Sequence, residues 1–309
     1  MPITKKYSLS AVEIADTEPI LLSGITSQGL GTNSEVDVEA TSAEPYPRWY
    51  ALTGQNPGGR FATYHLATAL AAIGLTGLDI SAQANGLNLW LQKHAAGGTR
   101  AGAASHNKYN FTEGMLVLGN LSCAFGGNAV LTCRILSNYD GLNAPFTVTA
   151  SQSLPTAEED DERFTLGPVT IETEVLTQIR QFDIEFGLKI EQEAGDSDLF
   201  PTFISIETIT PTLTLRGIDP DWLGAEVIPL LGKDTTHANT AIYLRKRSAT
   251  GFVIDETAEH IKLTAAGLAY IDTVFDAQGQ GAAESSLVLP MRWDGTNLPL
   301  AINTASAIT

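Results

Sequence analysis

The sequence predicts a mainly β protein made of two tandem homologous domains, each with one α-helix beside its strands. Two observations predict it: apolar and polar residues alternate with period two, and a pattern returns about 154 residues later. The alternation is clearest in QFDIEFGLKIEQE, where Phe182, Ile184, Phe186, Leu188 and Ile190 alternate with Asp183, Glu185, Gly187, Lys189 and Glu191. Successive side chains of a strand point to opposite faces, so this stretch reads as one half-buried strand with a polar, mostly acidic face. The return is clearest in YDGLNAPF (139–146) and WDGTNLPL (293–300), which share Asp140/Asp294, Gly141/Gly295, Asn143/Asn297 and Pro145/Pro299.

Taken along the chain, the offset holds in order. EVDVE (35–39), with Val36 and Val38 between Glu35, Asp37 and Glu39, lies over KIEQE (189–193). YPRWYALTGQNPGGRF (46–61) lies over FPTFISIETITPTLTL (200–215), matching Pro47 to Pro201, Pro57 to Pro211, Tyr46 to Phe200 and Trp49 to Phe203. TYHLATALAAIGLTG (63–77), rich in Ala and Leu and closed by glycines, predicts a helix. LQKHAAGG (91–98) matches LRKRSATG (244–251), His106 and Lys108 match His260 and Lys262, and Gly114 matches Gly267. LSCAFGGNAVLTCRIL predicts a β-hairpin in which Cys123 and Cys133, equidistant from Asn128, face each other as buried thiols or as a disulfide.

In the second half, Pro211 divides two β-rich runs, since a proline cannot donate to a central ladder. IDPDWLGAEVIPLLG (218–232) predicts the counterpart helix, capped by Asp219, begun by Pro220 and cut short by Pro229. NTAIYLRKR, GFVI and SSLVLPM read as strands. A period this long gives each copy its own core, so the copies are domains, 1–155 and 156–309. An acidic connector over about 155–167, containing EEDDER, separates them. The repeated Asp-Gly motif reads as a turn entering the last strand of each domain, with a sugar or metal site as the less economical alternative.

Composition narrows the function. The chain of 309 residues carries 18 Lys and Arg against 35 Asp and Glu, a net charge of −17, which disfavours nucleic-acid binding. The first 154 residues hold 8 basic and 10 acidic groups and the remainder 10 and 25, so the acidity is concentrated in the second half. No apolar run is long enough to span a membrane, and MPITKKYSLS lacks the features of a secretory signal. No nucleophile elbow, phosphate loop, zinc-protease helix or dinucleotide turn occurs. The five histidines and two cysteines show no metal-ligand spacing, AGDSDLFP lacks the spacing of a calcium loop, and Asp160 and Asp161 sit in the connector. The expectation is no enzyme, no cofactor and no metal.

An acidic, β-rich chain with two fused homologous domains and no catalytic motif resembles the tail tube proteins of long-tailed bacteriophages, in the variety with two tube domains per chain. The resemblance rests on architecture over nearly the whole chain. It implies a β-sandwich or open barrel flanked by one helix in each domain. It also implies trimeric, pseudo-hexameric rings stacked into a conduit, with other tail proteins as partners, and DNA that passes without specific binding. The implied location is the virion tail, assembled in the host cytoplasm, with no membrane. Carboxylates lining a lumen would repel phosphates, and the period-two acidic faces nominate Glu35, Asp37, Glu39, Asp183, Glu185, Glu191 and Glu193. A tandem-barrel capsid protein and a duplicated carbohydrate-binding surface module are the alternatives.

Overall fold

A computed structural model describes residues 5–40, 45–95, 105–154, 162–195, 198–218, 236–248, 251–276 and 284–308. The chain opens with β1 (Lys5–Ile14), β2 (Ile20–Leu22) and β3 (Ile25–Gly31). A hairpin of β4 (Ser34–Glu39) and β5 (Trp49–Gln55) follows, then β6 (Gly58–Thr63), the helix α1 (Leu66–Ile73) and the short β7 (Leu78–Asp79). β8 (Leu87–Ala95), β9 (His106–Phe111), β10 (Gly114–Ala124), β11 (Val130–Ser137) and β12 (Phe146–Gln152) complete the first half. The second half holds β13 (Arg163–Ile171), β14 (Glu174–Leu176), β15 (Ile179–Glu185), β16 (Leu188–Glu193), β17 (Phe203–Ile209) and β18 (Thr212–Gly217). It ends with β19 (Thr236–Ser248), β20 (Gly251–Phe252), β21 (His260–Leu268), β22 (Tyr270–Asp276), β23 (Glu284–Pro290) and β24 (Leu300–Ser306).

The fold is mainly β, with every strand pairing antiparallel. One sheet runs β12-β9-β8-β1-β2, and a second runs β24-β21-β19-β13-β14 with β20 beside β19. Position by position, the second order is the first moved along the chain by one half. The largest sheet, of nine strands, crosses the midpoint: β22-β23-β18-β15-β10-β11-β6-β3, with β7 beside β10. Register irregularities recur at the same offset. The ladder β3–β6 shifts between Ile25 and Ser27, and β15–β18 shifts between Ile179 and Gln181, each 154 residues on.

The core lies along the inner face of the nine-stranded sheet. Register aligns Leu131, Leu121, Ile184, Leu213 and Leu289 across five strands, all buried, so the apolar layer is continuous through the midpoint. A second row, Cys123, Phe182, Leu215 and Leu287, runs beside it. Removing each such side chain from water contributes roughly 1.5–3 kcal/mol, which offsets the loss of chain entropy. The helix buries Leu66, Ala69, Leu70 and Ile73, a single stripe at helical spacing, and packs on β10 and on β24 from the other half. It is shorter than the expected 63–77, because Thr63 belongs to β6 and Gly74, at φ 67°, turns the chain out of the helix.

Two expectations need correction, the single strand and the facing cysteines. The strand expected over QFDIEFGLKIEQE is two strands of different sheets, β15 and β16. Gly187 takes φ 60°, and a Cβ there would lie 2.1 Å from the Thr210 carbonyl oxygen. The cysteines are not cross-strand partners: the turn centres near Gly126, Ser122 pairs with Val130, and Cys133 lies opposite Leu118 after a bulge at Gly119. Both are free and buried, and burial pushes the Cys123 and Cys133 thiols up. The connector expected over 155–167 is described only from Glu162, and β13 already begins at Arg163. The helix expected over 218–232 lies almost wholly outside the described residues.

The repeated motif folds identically twice. The Asp140 Oδ1 accepts the N–H groups of Leu142 (2.8 Å) and Asn143 (2.6 Å), and Asp294 Oδ1 accepts those of Thr296 (2.8 Å) and Asn297 (2.6 Å). Gly141 and Gly295 supply φ of 82° and 96°, and β12 and β24 follow. These donors hold both carboxyls below the usual range, the backbone N–H of Asn297 most strongly for Asp294, whose pKa falls to about 2. A folded pKa below the unfolded one stabilises above the unfolded value, and that contribution is lost as pH falls through about 2. A carboxyl-detected NMR titration of Asp294 is expected to show a midpoint near 2, and Asp294→Ala to remove the accompanying shift of the Asn297 amide.

Candidate functional site

The residues with the most to say about function lie where the halves meet and where the large sheet ends. At the midpoint, β10 pairs with β15 in the register Asn120↔Glu185, Leu121↔Ile184, Ser122↔Asp183, Cys123↔Phe182 and Ala124↔Gln181. The ladder is bracketed by Phe186 N–H donating to Gly119 O (3.2 Å) and Phe125 N–H donating to Arg180 O (2.6 Å). Asn120 Nδ2 donates to Asp183 Oδ1 across it at 2.6 Å. The β10–β11 turn closes on the second half, where Ala129 N–H donates to Phe164 O at 2.8 Å and Thr165 Oγ1 to Gly127 O at 2.9 Å.

The ends of this sheet are β3 and β22. By order and offset, β3 holds the place of β15, and β22 the place of β10. Among the described residues neither strand pairs beyond its one neighbour, and β22 carries the exposed charges Asp272 and Asp276. ITSQGLG of β3 carries no charge and is mostly exposed, and β22 presents Val274 at 44% and Phe275 at 72% exposure. An edge of unpaired backbone groups without inward charge or proline is a template for another strand.

The outer face of the sheet is polar. Register places Ser27, Thr132, Asn120, Glu185 and Thr212 in one lateral row with Ala62 and Pro290, and Ser122, Asp183 and Thr214 in the next between Val130 and Val288. Arg60 and Arg134 are cross-strand partners on this face, and Arg216 pairs with Gln181 on it. Sequence reasoning missed these three arginines because none has an arginine at the matching position of the other half: Thr214, Val288 and Ala62 stand there.

Of the seven nominated carboxylates, only Asp183 and Glu185 belong to this sheet. Glu35, Asp37 and Glu39 lie on β4 and Glu191 and Glu193 on β16, in two hairpins that leave the sheet. Asp37, Glu39, Glu191 and Glu193 occupy corresponding faces of those hairpins, opposite Ala51, Trp49, Ser205 and Phe203. Glu193, then Glu207, raises the Glu191 carboxyl by repulsion, while Lys189 lowers Glu207 in a close ion pair. The structure thus separates the expected acidic set into a sheet pair and two hairpin groups.

The hairpins differ in their surroundings. β16 alternates between half-buried and exposed residues, because the hairpin rests on the first half. Gln192 Nε2 donates to Ser137 O (3.1 Å), Asn56 Nδ2 to Gln192 Oε1 (3.0 Å), Tyr139 N–H to Pro201 O (2.8 Å) and Asn138 Nδ2 to Thr202 O (3.1 Å). The Tyr139 and Phe200 rings meet at 5.6 Å between centroids. β4, by contrast, is exposed along its whole length, with Val36 at 56% and Val38 at 55%.

A cleft of about 570 Å³ opens beside β3, with Arg60, Arg134, Asn33, Asn56 and Gln192 as its polar lining. Those groups offer hydrogen bonds and positive charge, without a nucleophile–base pair. Among the described residues no three His, Cys, Asp or Glu converge to hold a metal. His106 and His260 are both buried, His106 edge-on to Trp90 at 6.3 Å. His260 Nδ1 accepts the Lys246 N–H at 3.0 Å, so both serve packing in the two smaller sheets. No helix among the described residues is long and apolar enough to cross a membrane. No protein-family model matches the chain, and no curated protein matches it.

Proposed function

We propose that this chain is a structural ring subunit of the bacteriophage tail-tube type, built from a duplicated β domain. Each half would pair a small sheet with four strands of the large sheet as a sandwich, and three copies would close a ring. The observation that carries this reading is the complementarity of the two open edges. β15 and β10 pair at the midpoint, and among the described residues their counterparts β3 and β22 pair on one side only, at opposite ends of the same sheet.

A head-to-tail interface of this kind propagates until its rotation closes a ring. Each copy brings eight strands in line, four from each half. Three copies give a barrel of about 24 strands spaced ~4.8 Å apart and tilted about 40°, roughly 48 Å across the backbone. Side chains narrow that to about 40 Å, which admits duplex DNA.

With the polar face inward, the wall would be mainly hydroxyl and amide, with Asp183 and Glu185 offsetting part of the charge of Arg60, Arg134 and Arg216. Such a wall gives phosphates few fixed partners and suits passage without specific binding. The hairpin carboxylates would then act at the rim and in contacts between rings, where other tail proteins also dock. Size exclusion with light scattering and negative-stain imaging test the proposal. Rings or tubes with a three-chain repeat are expected; a monomer at tens of micromolar, or closed shells, would sink it.

A further inference from the structure

The ring reading fixes which strands meet between copies, and the two unlike hairpins add a contact that it does not contain. We propose that the β4–β5 hairpin is an arm that seats on the 290–293 segment of a second copy, with Tyr46 packed on Trp293. The inference rests on the ring reading and on the contact already made inside the chain.

That internal contact is a template. The hairpin β16–β17 leaves β15 and rests on residues 137–139, at the end of β11 and just past it, and its Phe200 packs on Tyr139. Shifted by 154 residues, Phe200 corresponds to Tyr46, Tyr139 to Trp293 and Pro201 to Pro47. In the first set the rings cover each other. In the second set Tyr46 is 77% and Trp293 63% exposed, so both halves of the same contact are present and uncovered. Val36, Val38 and Leu52 of the arm are also exposed, whereas their counterparts Ile190, Gln192 and Ile206 are half-buried.

A second copy is the only occupant that reproduces the template. In one chain, β3, which leads into the arm, and β23, which leads into Trp293, are six strand spacings apart in the sheet. That is roughly 28 Å, too far for the arm to reach its own chain's segment. When β3 of one copy pairs with β22 of the next, the same rotation brings the arm of the first onto the 290–293 segment of the second. The Trp293 N–H would then donate to Pro47 O, as Tyr139 does to Pro201 O.

The test is cross-linking with a short bismaleimide in the Tyr46→Cys/Trp293→Cys variant; the two native cysteines are buried and serve as an unreactive background. Tyr139→Cys/Phe200→Cys, linked within one chain, is the positive control. Covalent multimers are expected, and a mixture of the two single variants should give dimers and stop there. Trp293→Ser should weaken association about tenfold, the worth of a well-packed aromatic pair. Oligomers by light scattering without cross-links would overturn the arm and leave the ring standing. A native chain that stays monomeric by light scattering would overturn both.

Discussion

Replacing Val274 by proline is expected to leave a folded monomer that no longer forms rings. The bonds of Phe125 to Arg180 and of Phe186 to Gly119 show which backbone groups of β10 face β15. Leu121 and Cys123, an even number of residues from Phe125, turn their N–H groups the same way. Val274 holds the place of Leu121, since Asn120 pairs with Thr132 as Thr273 pairs with Ser286. It sits at the second register shift of β22, between the pairs Thr273↔Ser286 and Asp276↔Glu284, where the ladder to β23 is already interrupted, and proline keeps the carbonyl that accepts from Ser285 Oγ. Between copies it inserts a pyrrolidine ring against the incoming strand, on the order of 1–3 kcal/mol per junction, or about ten- to a hundredfold in association. Light scattering should fall to the monomer mass while the urea midpoint barely moves. Intact rings from Val274→Pro would mean that the sheet ends do not pair.

Gly114→Ala and Gly267→Ala are expected to be strongly destabilising single methyl additions. A Cβ at Gly114 would lie 2.0 Å from Leu136 O, and one at Gly267 2.1 Å from Pro290 O. Gly114 also takes φ 130°, which side-chain-bearing residues rarely adopt. Both clashes are with backbone carbonyls inside a packed sheet, so relief requires moving β11 or β23. Each substitution should lower unfolding free energy by about 3 kcal/mol, read as an earlier midpoint at unchanged slope in urea. Losses at both sites, the larger at Gly114 because of its φ, are the sharper expectation, because the two colliding carbonyls, like the glycines, stand at matching places. A loss at one site only would show that the halves do not fold alike.

Both predictions draw on features that were legible in the sequence to different degrees. The Gly114/Gly267 match was visible as letters, but the carbonyl each glycine makes room for was not. Strand runs around Pro211, the α1 stripe and the paired Asp-Gly turns were readable because they depend on neighbours within four residues. The split at Gly187 was missed because uninterrupted alternation hides a change of sheet, which only the close approach of Thr210 O requires. The cysteine pairing was missed because one bulge at Gly119 shifts the register of everything beyond it. The division of the acidic residues between the large sheet and the hairpins is not legible in the sequence, because alternation says which residues share a strand face, not which strands share a sheet.

The sequence by itself determined the β character, the turn chemistry of Asp140 and Asp294, and the offset that relates one half to the other. These follow from side-chain periodicity and from backbone preferences of single residues, which act locally. Only the tertiary structure decided that β10 and β15 join the halves in one sheet, that β3 and β22 end that sheet among the described residues, and that one hairpin is seated while its counterpart is exposed. Those outcomes depend on hydrogen bonds between residues about 60 positions apart, whose register is set by bulges and by the burial of a shared apolar layer. No window of sequence contains both partners of such a ladder.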